Sequence, residues 1–147
     1  MPDKIMSTIL KSSVLTFLLV GIPRLCCALE DTVTVTQEQA KALGLEIKAR
    51  ASGPDAVQVV LEFDTKGVLK DYSRVDLEMK DKGKLLLWTN LGEDKSKPGR
   101  AVFSFAADRA KLDELTLKVV VEYKAPALGR AGYVLKVKEF VDLKKLR

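Results

Sequence analysis

The sequence predicts an all-β fold: an antiparallel two-sheet β-sandwich of the immunoglobulin-like, Greek-key kind, with one short N-terminal helix. Three observations predict it. Apolar and polar residues alternate over about seven or eight short stretches, the period of a strand with one covered face. Turn signals rich in glycine, proline and aspartate separate these stretches at the spacing of a sandwich or barrel. No segment supplies the strand-then-long-helix rhythm that a parallel α/β sheet requires.

The chain opens with Lys4 and Lys11, an apolar run over residues 14–22, and then Cys26, Cys27 and Ala28. This pattern resembles a secretory signal peptide over residues 1–28. The run falls short of the roughly 20 apolar residues that a spanning helix needs, so no stable membrane span is expected after processing. An uncleaved anchor is the alternative. Cleavage after Ala28 leaves residues 29–147 as a single domain, secreted or periplasmic, from which both cysteines are gone. Neither a disulfide framework nor a thiolate metal site is then available.

In the remaining chain, residues 32–35 alternate valine with threonine, a short β-branched strand. Thr36 and Gln39 have capping-box spacing for a helix over residues 37–43, and Gly44 is placed to end it. Leu45, Ile47 and Ala49 mark the next strand, stopped by Gly53 and Pro54. Val57, Val59, Leu61 and Phe63 mark another. Residues 72–91 read as a hairpin around a three-residue loop, Asp81, Lys82 and Gly83. Val75, Leu77 and Met79 face inward from its first arm. The second arm, Leu85, Leu86, Leu87 and Trp88, is apolar on both faces. It therefore reads as a strand inside a sheet, with Trp88 a core plug.

Beyond a polar loop closed by Pro98 and Gly99, Phe103 and Phe105 lead a short strand. Asp108 is placed to cap a single helical turn that buries Leu112. Residues 115–123 carry the longest alternating face. Tyr133, Leu135 and Val137 build a last strand that continues towards Phe140 and Val141, before a frayed basic end.

The net charge of +5 falls to +3 once Lys4, Lys11, Arg24 and Asp3 leave with the leader. What remains is concentrated after Gly129, where six basic residues meet two acidic ones. A basic tail is not a nucleic-acid footprint across a domain face, so nucleic acid is not an expected partner. Lysines on an edge strand also discourage sheet-to-sheet aggregation.

The chain has no histidine, which removes Ser-His and Cys-His nucleophile pairs and imidazole metal ligands. No cofactor is expected. Calcium could only draw on turn aspartates such as Asp55, Asp64, Asp71, Asp81 and Asp94, but Lys66, Lys82 and Lys95 stand beside them and oppose a dication. The candidate ligand contacts are Tyr72, Asp76 and Glu78. Tyr72 sits at a strand start and is the aromatic expected to be exposed. Asp76 and Glu78 share the solvated face of the hairpin's first arm. The expected function is a non-catalytic binding or structural module for a protein or polysaccharide of the cell envelope, met at an end loop or a sheet edge. The alternatives are a small lectin-like, carbohydrate-binding domain or a carboxylate-dependent hydrolase.

Overall fold

The computed structural model describes residues 31–146. The leader expected over residues 1–28 lies outside them. The described chain is mostly β, in two sheets that share one apolar core in a sandwich-like arrangement.

The first sheet has five strands in the order β1-β8-β7-β4-β5: β1 Asp31–Thr34, β8 Arg130–Lys136, β7 Leu115–Tyr123, β4 Tyr72–Asp81 and β5 Lys84–Asn90. The second has three, β2 Leu45–Ala51, β3 Ala56–Asp64 and β6 Arg100–Asp108, in the order β2-β3-β6. Neighbours are antiparallel except β1, which runs parallel to β8 with Val33 opposite Tyr133. The chain therefore changes sheet at β1→β2, β3→β4, β5→β6 and β6→β7, and the hairpins β2–β3, β4–β5 and β7–β8 stay within one sheet.

The core lies where the alternating rows meet. Val75, Leu77, Leu117, Val119, Val121 and Leu135 come from the larger sheet, and Leu45, Val57, Val59, Leu61 and Phe63 from the smaller. Each such side chain contributes about 1.5–3 kcal/mol by leaving water. Two helices and a 3₁₀ turn close the ends. Helix α1, Gln37–Ala42, buries Ala40 completely. At its start the Gln39 N–H donates to Thr36 Oγ1 at 3.3 Å, and the Thr36 N–H donates to Gln39 Oε1 at 2.9 Å. Gly44 follows with φ +78°. The 3₁₀ segment Arg109–Glu114 buries Leu112.

Several local expectations change. Asp81 pairs with Lys84, so the hairpin loop has two residues, Lys82 and Gly83. Both have positive φ, as a type I′ turn requires to match the strands' twist. Asp108 makes no side-chain cap. The last strand does not continue to Val141: it ends at Lys136, and residues Val137–Phe140 form the short helix α2. Gln37 Nε2 donates to the Glu139 carbonyl at 2.6 Å and ties α2 to α1. The basic end is also held rather than frayed, since Val141 is buried and an Arg109 guanidinium N–H donates to the Leu146 carbonyl at 2.7 Å.

The largest departure concerns β5. It is the outermost strand of the larger sheet, not an inner one, and its extensive contacts are with β4 alone. Leu85, Leu86 and Trp88 are each about half exposed, at 52%, 52% and 51%. A five-stranded sheet backed by a three-stranded one overhangs its cover, so even the inward-pointing Leu87 and Thr89 are only half-buried.

Candidate functional site

The residues that stand out for chemistry lie on the outer face of the larger sheet, towards its β5 edge. The register sets them in rows. Asp76 on β4 lies opposite Asn90 on β5 and Val120 on β7, and Val120 opposes Gly132 on β8. Beside this row run Arg74, Glu122 and Arg130 on one side, and Trp88, Glu78, Lys118 and Val134 on the other.

Asp76 is 2% exposed, although its strand position points it away from the core. Its neighbours supply the reason. Arg74 Nε donates to Oδ1 at 2.8 Å, Asn90 Nδ2 donates to the same oxygen at 3.3 Å, and an Arg130 guanidinium nitrogen stands 3.8 Å from Oδ2. Both arginine side chains remain about half exposed while the carboxylate they flank is enclosed. Arg130 also reaches Glu122 at 3.8 Å, and the Arg74 guanidinium lies 5.1 Å from the centre of the Trp88 ring. The result is one continuous polar strip across β5, β4, β7 and β8, with an exposed indole at its edge.

The three expected contact residues do not form one site. Asp76 is committed to scaffold partners and Glu78 pairs with Lys80 at 3.2 Å, so neither carboxylate stands free on a solvated face. Tyr72 is half-buried, packed edge-on against Phe63 at 5.5 Å. An irregularity between Tyr72 and Arg74 breaks the alternation that would place both on the outer face, and it turns Tyr72 towards the core. Burial, followed by the Glu93 carboxylate, holds its hydroxyl above the ordinary tyrosine range. Tyr133 is buried and shares a 3.1 Å hydroxyl contact with Tyr123. Burial and then that contact push its ionisation upward. The exposed aromatic is Trp88, the one expected inside.

Arg74, Asn90, Arg130 and the Leu85–Leu86 pair were not expected at a site. A hairpin register read together with its bulge would have set Asn90 against Asp76. Two of the loop aspartates serve turns: Asp64 Oδ1 accepts from the Lys66 N–H at 2.9 Å, and Asp94 accepts from the N–H and hydroxyl of Ser96. Those two bonds hold Asp94 below the usual carboxylate range. In the loop before β6, Glu93 accepts from the Gly99 N–H. Among the described residues no three Asp, Glu, His or Cys side chains gather as a metal site, and no helix is long and apolar enough to cross a membrane. A cleft lined by Lys41, Glu46, Asp64, Arg100 and Phe140 lies beside α1, apart from the strip. Comparison with known proteins finds no matching family model and no matching curated relative.

Proposed function

We propose that the chain is an exported, non-catalytic binding module of the immunoglobulin-like Greek-key kind, which takes a partner protein along the free edge of β5. The observation that carries this reading is a mismatch. Leu85 to Trp88 have the composition of a strand covered on both faces, yet they occupy an edge that the rest of the described chain leaves open. Edge backbone supplies unpaired hydrogen-bonding groups for an added strand, and apolar side chains on both faces supply burial. The strand order supports the finer fold. β3 and β6 fall where strands B and E of such sandwiches lie, β4, β7 and β8 where C, F and G lie, and β5 where a C′ strand joins the sheet.

Capture from the envelope fraction on immobilised protein tests the reading. The wild type retains a specific partner at a defined ratio, and Leu86→Lys retains at least about tenfold less, the loss of about 1.4 kcal/mol of binding. Equal retention by both overturns it.

A second reading has its own observation. Trp88 offers an exposed ring beside Asn90 and Arg74, the aromatic-plus-polar pairing of a sugar platform. Titrating envelope polysaccharide against Trp88 emission decides it, and an unchanged spectrum at saturating sugar excludes it. A hydrolase has less support, because Asp76 and Glu78 are already paired with cations.

A further inference from the structure

We infer that the partner strand at β5 is the β5 of a second copy of this chain, joined antiparallel about a two-fold axis near Leu86 and Leu87. This rests on the edge-binding reading above and names its occupant.

The sequence of β5 is self-complementary. Lys84 is its one charged residue, and in an antiparallel register centred on Leu87 it meets Asn90, while Leu86 meets Trp88 and Leu87 meets its own copy. Centring on Leu86 instead sets Lys84 against Trp88. Neither register opposes like charges. The lysines flanking the hairpin do not repel an approaching copy either, since Lys80 pairs with Glu78 at 3.2 Å and Lys82 with Glu114 at 3.0 Å.

The other sheet edges carry the features that block such pairing. β1 is four residues long and opens on Asp31. β2 turns Glu46, Lys48 and Arg50 outward. β6 is bracketed by Arg100 and Asp108, keeps Val102, Phe103 and Phe105 half-buried with the small Ser104 and Ala106 its exposed residues between them, and is bridged near its start by Glu93. Three of the six large apolar side chains exposed among the described residues lie on β5, which carries neither charge nor proline over the six residues after Lys84; β1 shares that lack after Asp31 but extends for only three residues more. A two-fold contact uses one patch twice, so a single apolar strand is sufficient. With one strand pair and a few side chains buried, the expected dimer is weak, with a Kd of order micromolar.

Sedimentation equilibrium of the purified protein from about 1 µM to about 1 mM brackets that affinity. The expected result is a monomer–dimer equilibrium. Over the same range the emission of Trp88, the sole tryptophan, shifts to shorter wavelength and its quenching by iodide falls. Leu86→Lys weakens the dimer at least about tenfold, and Leu128→Lys, at another exposed apolar residue, leaves it unchanged. A monomer throughout overturns the inference, whether Trp88 is then open to iodide or already shielded within one chain. So does a dimer indifferent to Leu86→Lys. A monomer that still captures an envelope protein through Leu86 removes the second copy but keeps the edge-binding reading. A monomer that captures nothing removes both.

Discussion

Asp76 shows how a charged side chain can be buried on the solvent side of a sheet. Its cost of leaving water is offset by hydrogen bonds from Arg74 and Asn90 and by the Arg130 guanidinium charge 3.8 Å away, partners that come from three strands. Asp76→Ala leaves Arg74 and Arg130 without their common anion, but both side chains are about half exposed and rehydrate. The expected loss is therefore about 2 kcal/mol, below the 3–5 of a fully buried pair, and urea denaturation measures it. Glu62 on the smaller sheet is a milder case. Burial raises its pKa, but Lys48 at 3.2 Å, with Lys97 and Arg100 at 3.7 Å, outweighs burial and holds it below the ordinary 4.5. A carboxylate with a depressed folded-state pKa stabilises fully above its unfolded value and loses that contribution as pH falls through the folded one. Glu62→Gln should cost about 1 kcal/mol at pH 7, with the gap to wild type closing below the unfolded carboxylate value. Parallel denaturation curves at pH 7 and in strong acid check this.

The β4–β5 hairpin is decided by its turn and its bulge. Gly83 has φ +81° and an added Cβ would meet nothing, so Gly83→Ala costs only the backbone term, about 1 kcal/mol. At Gly44, φ +78°, an added Cβ would stand 2.9 Å from the Asp64 Cβ, so Gly44→Ala should cost more, about 2 kcal/mol or above. Comparing the two variants by thermal melting separates strain from collision. The bulge matters more for the surface. From Asp81 opposite Lys84, an unbroken ladder would set Trp88 against Leu77 on the inner face. The register shift between Met79 and Lys80 sets it against Glu78 on the outer face instead. Strong iodide quenching of dilute protein is the expected sign, and a shielded indole in the monomer would contradict the geometry.

At the scale of the molecule, the two sheets are unequal, and that inequality leaves β5 uncovered. Leu86→Lys should change the stability of the monomer by no more than about 0.5 kcal/mol, since its side chain is half in water already. A large loss would mean the strand is packed more tightly than the fold shows. The alternating rows of β3, β4 and β7 were legible because strand periodicity is local: neighbouring side chains point to opposite faces whatever the strand pairs with. The capping-box spacing of Thr36 and Gln39 was legible for the same reason, since all its atoms lie within four residues. Strand order is not local. Whether Leu85 to Trp88 end up inside a sheet or at its margin depends on which strands, distant along the chain, arrive beside them. The burial of Asp76 depends likewise on Asn90 and Arg130, 14 and 54 positions away. The sequence by itself therefore determined an all-β chain with two sets of inward rows and no histidine for catalysis. Only the tertiary structure decided which apolar strand would be left uncovered and which carboxylate enclosed, because both follow from pairings between remote segments that no local pattern encodes.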